Sequence, residues 1–322
     1  MQNIPKIQDI KNLLILRGEG SLGDAILSSC CYREYKKVNP NLKISVVCFG
    51  SATAYLKTNK YIDKLYVLPI PRVLRPNQRW PSLIYYGLKM RAKKFDLVID
   101  TCKKDFKNWR LFRWLCGKDM IADHLSLAID IHRPPLHASE AEGKIVSVLT
   151  GNDTIDASYD LTVPEETKER VRQFLTQHNI GCYTLLNPFA SVVQRTLNND
   201  TVSRMCNFLN DKYPSKNIII PAMPSQVAAV QGIIKQNPAF NIIMFETKSL
   251  FDMFELVNRS GFVITPDTAI AHVASGFERK SIIFYNTFSE YNAPNNPAAA
   301  VIKTDPGDIN KFNWQDFEQA FK

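Results

Sequence analysis

Two short motifs near opposite ends of the chain each follow an apolar run, and each reads as strand, tight turn and helix start. Gly18-Glu19-Gly20-Ser21-Leu22-Gly23-Asp24 follows Leu13-Leu14-Ile15-Leu16, and Thr265-Pro266-Asp267-Thr268-Ala269-Ile270-Ala271-His272 follows Phe262-Val263-Ile264. At such a turn the unpaired N–H groups of the first helical residues converge with the positive end of the helix dipole, which makes an anion site. One such unit in each half predicts two α/β domains facing a shared cleft.

The intervening sequence supports this. Strand signals at 13–17, 44–48, 64–68 and 97–100 alternate with helical spacing at 24–38, 52–58, 83–93 and 137–149. The second half repeats the scheme. Strands are expected at 160–163, 183–187, 217–221, 242–245, 262–265 and 281–284, and helices at 164–177, 201–212, 225–236, 249–258, 269–276 and 313–321. A βα ladder of this kind builds a mostly parallel sheet with helices on both faces. Gly151-Asn152-Asp153 breaks the pattern, so the domains are expected at 1–158 and 159–322.

Gly18-Glu19-Gly20-Ser21-Leu22-Gly23 also matches the dinucleotide fingerprint G-x-G-x-x-G. That fingerprint wants an acid after the second strand to hold the ribose hydroxyls. Here Ile44–Cys48 runs into Phe49-Gly50-Ser51-Ala52-Thr53, without a carboxylate. The carboxylate left at the turn is Asp24, in the first turn of the next helix. It suits either catalysis or plain helix capping, since Asp favours helix starts.

The chain has 322 residues, enough for two domains, and no apolar run near the roughly 20 residues that span a bilayer. Met1-Gln2-Asn3-Ile4-Pro5-Lys6 carries no signal-peptide core. Seven cysteines without a C-x-x-C pair fit a reduced, cytoplasmic chain, and the five histidines form no metal-ligand spacing. The net charge of +9 is concentrated. Between Arg72 and Lys118 stand thirteen basic residues against three acids, interleaved with Trp80, Tyr85, Tyr86, Trp109, Phe112 and Trp114. The rest of the chain is therefore near neutral. Such a mixture suits an anionic membrane surface or glycolipid, with nucleic acid as the competing partner and a solvated basic face as the plain alternative.

Taken together these residues resemble the bacterial lipopolysaccharide heptosyltransferases, glycosyltransferase family 9. Leu16-Arg17 with Ser21-Leu22-Gly23-Asp24 is similar to the family's R-x-x-S-x-G-D signature, and Lys94–Asp100 to its Y-D-x-x-I-D segment. His137 resembles a recurrent His. Leu186–Ser191 followed by Arg195 resembles the donor loop, and Asp267-Thr268-Ala269 with His272-Val273-Ala274 resembles D-T-G-x-x-H-x-A. The first turn is one residue longer than the family's, and Ala269 replaces the common Gly.

The resemblance implies an α/β fold of the GT-B type, with two Rossmann-like domains facing a cleft. A last helix, within 309–322, would cross back to the N-terminal domain. It implies an inverting, metal-independent transferase moving a heptose from ADP-heptose, a co-substrate rather than a cofactor, to the lipopolysaccharide or lipooligosaccharide inner core. Asp24 would be the base. Ala190, Ser191, Arg195, Met223, Asp267, Thr268, Ala269 and His272 would bind the donor. Gly20, Ser21, Gly23, Lys103, Lys104, Arg110 and His137 would bind the acceptor, the anionic lipid A–Kdo core. A monomer is expected, peripheral on the inner face of the cytoplasmic membrane, without nucleic acid.

The residues alone keep other readings open. Asp267 beside a diphosphate would be repulsive, so a sugar hydroxyl or a helix N–H is its better partner; His272 could be a packing histidine. His137 and Glu140 share a helix face and could equally be structural. The competing functions are a transferase for another nucleotide sugar, a dinucleotide-dependent oxidoreductase, and a non-catalytic surface binder.

Overall fold

The computed structural model describes residues 5–17, 21–69, 80–101, 107–116, 121–123, 137–212, 217–287, 293 and 296–321, with backbone alone at 80, 107–110, 121–123 and 138. The chain divides into two compact units, the first running through Asp160 and the second beginning at Leu161.

In the first unit, β1 (Asn12–Leu16), β2 (Lys43–Cys48), β3 (Lys64–Val67), β4 (Leu97–Asp100) and β5 (Ile121–Asp123) form a sheet in the order β3-β2-β1-β4-β5, every pair parallel. Its helices are α1 (Leu22–Leu27), α2 (Ser29–Val38), α3 (Ala52–Leu56), α4 (Trp80–Arg91), α5 (Lys107–Cys116) and α6 (Ala138–Thr150). β1 reads as an unbroken apolar run because helices cover both faces of a parallel sheet. Leu13 through Leu16 are all buried. Leu14, Leu16, Val47 and Val98 meet Leu83 and Met90 of α4 and Phe112 of α5 in one cluster. Gly87 sets how close those two helices lie, since a Cβ there would stand 2.7 Å from the Leu115 Cβ.

In the second unit, β6 (Tyr183–Leu186), β7 (Asn217–Ala222), β8 (Ile242–Glu246), β9 (Phe262–Pro266), β10 (Ser281–Tyr285) and β11 (Ala299–Lys303) form a second sheet in the order β11-β10-β9-β6-β7-β8, again all parallel. Helices α7 (Glu165–Gln177), α8 (Asn199–Lys212), α9 (Val227–Gln236), α10 (Leu250–Arg259), α11 (Ala269–Gly276) and α12 (Trp314–Gln319) accompany it. The strand order reverses between β1 and β4 in one sheet and between β6 and β9 in the other. Open α/β sheets bind ligands at such switch points, outside the carboxyl ends of the strands.

Four expectations need correction. The helix foreseen over 24–38 is broken at Ser28, whose hydroxyl donates to the Asp24 carbonyl at 2.8 Å, a back-bond that bends helices. No strand forms over 160–163. The chain leading to Asp160 is held by side chains instead, the Arg33 guanidinium donating to the Asp160 carboxylate at 2.8 Å and the Asp156 carbonyl at 2.7 Å. β11 was not foreseen, because Ala299 and Ala300 give a weak strand signal. The last helix, expected to cross back to the first domain, packs into the second unit's own core. Phe317 of α12 is fully buried there, its ring 5.4 Å from that of Phe208 and 6.1 Å from that of Phe284.

That aromatic cluster yields a prediction. Phe317→Ala should destabilise the second unit by about 3–5 kcal/mol, the usual cost of emptying a buried phenyl site. Denaturant unfolding should show a lower midpoint for that unit, with the first unit's transition unmoved. An unchanged midpoint would mean that α12 does not close this core.

Candidate functional site

At the first switch point, Arg17 leaves β1 and is buried. Its Nε donates to the Tyr32 hydroxyl at 3.0 Å and its Nη1 to the Glu142 carboxylate of α6 at 3.1 Å. Burial alone would pull the guanidinium down, but its contacts with Tyr32 and the Glu142 carboxylate more than offset it, and Arg17 is held well above the ordinary arginine range. Ser21 caps α1, its hydroxyl accepting from the Asp24 N–H at 3.2 Å and donating to the Asp24 carboxylate. Ser21 thus holds both the backbone and the side chain of Asp24, the third residue of the helix. Asp24 is therefore oriented, partly exposed, at the start of α1, with Gly23 beside it. At the end of β4, Asp100 is buried and paired with Arg113 of α5 at 3.2 Å.

The remaining residues expected at this end behave differently. His137 is the N-cap of α6. Its Nδ1 accepts from the Ser139 N–H at 3.2 Å, while Glu140 accepts from the His137 N–H at 3.2 Å. The structural reading thus accounts for the His137–Glu140 pair. Gly20, Lys103 and Lys104 lie outside the described residues, as does the Arg110 side chain.

At the second switch point a cavity of about 740 Å³ opens at the carboxyl ends of β6, β7, β8 and β9. Ala190, Ser191, Met223, Thr268 and Ala269, all expected on the donor side, line it together. Thr268 caps α11, accepting from the Ile270 N–H at 3.3 Å. Asn187 braces the two loops, its amide donating at 3.0 Å to the Thr265 hydroxyl, which lies 3.2 Å from the Thr268 hydroxyl. Arg195 ends a short turn, Val193–Arg195, and pairs with Asp267 at 3.4 Å. Neither belongs to the lining, and His272 is buried one turn into α11. Asp267 was expected to prefer a sugar hydroxyl or a helix N–H; its partner is the Arg195 guanidinium.

The sequence reading missed one whole wall. Lys248, Ser249, Leu250 and Met253 come from the start of α10. They are set by Asp252, which is fully buried and accepts from the Lys248 and Ser249 N–H groups at 2.7 and 2.8 Å and from Arg170 Nε at 2.9 Å. The Ser249–Asp252 spacing is itself a capping signal, visible in the sequence. Among the described residues no group of three His, Cys, Asp or Glu is placed to hold a metal ion, and no helix is long and apolar enough to cross a membrane.

With this geometry in hand, known proteins can be compared. No family model matches the chain. It is 21% identical, over 290 residues covering 86% of this chain and 74% of the relative, to Putative lipopolysaccharide heptosyltransferase 4 of Escherichia coli (strain K12). Among solved structures it is similar to the glycosyl transferase family 9 protein from Veillonella parvula DSM 2008, with TM-score 0.78, 16% identity and coverage of 98% of this chain and 97% of that one. It is also similar to E. coli ADP-heptose lps heptosyltransferase II (TM-score 0.69, 14% identity, 97% of each chain) and to E. coli heptosyltransferase WaaC with ADP (0.68, 16%, 96% of each). The resemblance drawn from the sequence is borne out, and the fold is the two-domain GT-B type.

Asp267 makes a testable prediction about charge. Burial pushes its carboxyl up, and Arg195 and the Tyr285 hydroxyl pull it back only in part. A carboxyl raised in the folded state binds its proton more tightly there than in the unfolded chain, so stability falls as pH rises through this range. Asp267→Asn should therefore raise the melting temperature of the second unit at neutral pH. The gain should vanish below the unfolded carboxyl value of about 3.9, where both states are protonated. A lower melting temperature at neutral pH would show that the Arg195 pairing outweighs desolvation.

Proposed function

We propose that this chain is an inverting, metal-independent glycosyltransferase that moves a heptose from ADP-heptose onto the lipopolysaccharide inner core. The observation that carries the reading is the cavity at the second switch point, lined by Phe189, Ala190 and Ser191 from the segment that resembles the family's donor loop and by Thr268 and Ala269 from the helix start that resembles its second motif. The similar proteins are glycosyltransferases, and WaaC is a structure with ADP in one case and with ADP-2-deoxy-2-fluoro heptose in another. The oxidoreductase alternative has less support, because β2 ends without the acid that a dinucleotide ribose needs.

On this reading the second unit takes the nucleotide sugar. Phe189, Met223, Leu250 and Met253 offer apolar surface to a nucleobase. The diphosphate would lie against the start of α11, where backbone N–H groups meet the positive dipole end, with Ser191 and Lys248 beside it. Arg195 would leave its long contact with Asp267 to pair with the departing phosphate. The first unit takes the acceptor. Asp24, oriented by Ser21, would remove the proton from the acceptor hydroxyl as it attacks the anomeric carbon, and Lys103, Lys104, Arg110 and the turn at Gly20 would hold the anionic core. A donor screen by calorimetry with ADP- and UDP-sugars tests the sugar assignment.

The membrane side of the proposal rests on α4 and α5. Tyr85, Leu88 and Trp114 are 61%, 52% and 50% exposed, which is unusual for such side chains on two packed helices. The Arg91 guanidinium lies 5.5 Å from the Trp114 ring centre, and the Lys89 ammonium 5.9 Å from that of Tyr85. Aromatic rings with basic neighbours suit the interface of an anionic bilayer.

Two outcomes follow. Asp24→Asn should lower turnover on the order of 10²–10⁴-fold, as loss of a general base does, while calorimetry shows ADP binding unchanged. Near-wild-type turnover would remove Asp24 from the chemistry. Replacing Lys89, Arg91 and Lys93 by Gln should cut sedimentation with anionic vesicles strongly, at about 1 kcal/mol for each charge near the surface. Wild-type binding should fade as salt rises. Equal pelleting with neutral and anionic vesicles would defeat the electrostatic account, and comparable binding to duplex DNA would favour nucleic acid.

A further inference from the structure

A second cavity, of about 570 Å³, opens on the opposite edge of the second sheet, where the strands begin. Tyr183 stands at the start of β6, while Arg259 and Arg279 lie just ahead of β9 and β10. Three guanidiniums, those of Arg172, Arg259 and Arg279, line this one concavity together with Asn258.

Their partners are unequal. Arg172 is paired with Glu169 at 2.7 Å on the same helix. The buried Glu255 carboxylate accepts from Arg259 Nε at 2.5 Å and from the Asn258 amide at 3.2 Å, which leaves the Asn258 oxygen turned toward Arg279. Arg279 Nη2 donates to that oxygen at 3.3 Å. Its Nε is shut off from solvent and has no acceptor. The residue is not slack, because its N–H donates to the Ala274 carbonyl at 2.8 Å and its own carbonyl accepts from the Asn296 amide at 3.0 Å.

A buried N–H without a partner costs its desolvation in full, so each one calls for an explanation. The last turns of α7 and α10 line the cavity, and their negative dipole ends account for cations here but not for an Nε without an acceptor. An oxyanion with two oxygens accounts for both once the Arg279 guanidinium turns toward the opening, since it can then accept from Nε and a neighbouring Nη side by side. We propose that this cavity is a second ligand site, remote from the switch-point cavity, that binds the phosphate or carboxylate group of a small molecule through Arg279, with Arg259 and Arg172 adding charge at its rim.

The test is calorimetric titration of the whole chain with inorganic phosphate and, separately, with citrate. Ionic strength is held constant, and ADP is present to fill the switch-point cavity. Wild type should bind at least one of the two anions saturably, and the better of them tells whether the site prefers phosphate or carboxylate. Arg279→Gln should weaken that binding at least about tenfold, the loss expected of a charge-assisted hydrogen bond. Gly181→Glu serves as a second variant. It borders the cavity, a Cβ there meets nothing within 4 Å, and its carboxylate would repel the ligand without crowding the fold. Lys248→Gln, in the other cavity, should leave the binding unchanged, and it separates the two cavities even if ADP does not bind. Absence of saturable binding to either anion in wild type, or wild-type affinity in both Arg279→Gln and Gly181→Glu, would overturn the proposal.

Discussion

Covering both faces of a parallel sheet is the constraint on which the rest of this structure depends. Along β1 and β6 the apolar side chains are sealed between helices, so no strand residue can offer chemistry sideways. Function is pushed to the strand ends, where the backbone must turn and the helix termini leave N–H groups unpaired. At β1/β4 and at β6/β9 the order reverses, neighbouring loops part in opposite directions, and space opens. Both motifs that first drew attention lie at these reversals, which is why turn chemistry is a better guide to the site than composition.

The loops that frame these openings are held by buried polar groups. Asn187 and Thr265 tie the loop after β6 to the cap of α11, and Asp252 gathers two backbone N–H groups and Arg170 behind the wall made by α10. Each is almost wholly shielded from solvent, where a hydrogen bond is stronger and an unmet partner costlier than in water. Asn187 itself lines the cavity, whereas Thr265 and Asp252 shape it from behind without belonging to the lining.

Much of this architecture was legible in the sequence, for a definable reason. Long apolar runs bounded by Gly, Pro and Asn gave nine of the strands described, the short β5 and β11 being the exceptions, and the S-x-x-D and D-T turns pointed to Ser21, Asp24 and Thr268. What escaped was decided by tertiary contacts. β11 is a strand because β10 offers it an edge, and nothing in Ala-Ala-Val-Ile-Lys requires it. The segment 160–163 looks like a strand but finds no sheet partner. Phe312, Trp314, Phe317 and Phe321 plainly announce a buried aromatic face, yet not which core receives it. Likewise the wall of Lys248 to Met253 lies far along the chain from both motifs, and only the stacking of β8 beside β7 brings it to the cavity. His137, singled out by resemblance, caps α6, the structural role that its spacing to Glu140 also allowed.

The Arg17–Glu142 pair carries a consequence for how the first unit reaches this state. The two residues are 125 positions apart, and Arg17 sits at the end of the central strand. Until α6 docks, the sheet either holds that guanidinium in water, with β1 incompletely covered, or buries a cation without its carboxylate, which is strongly unfavourable. Contacts of such long sequence separation form late, because the chain must first be ordered over the whole interval. The first unit therefore folds with its centre gated by its last helix. A chain interrupted before residue 142 keeps the strands of the sheet without the partner that lets them close.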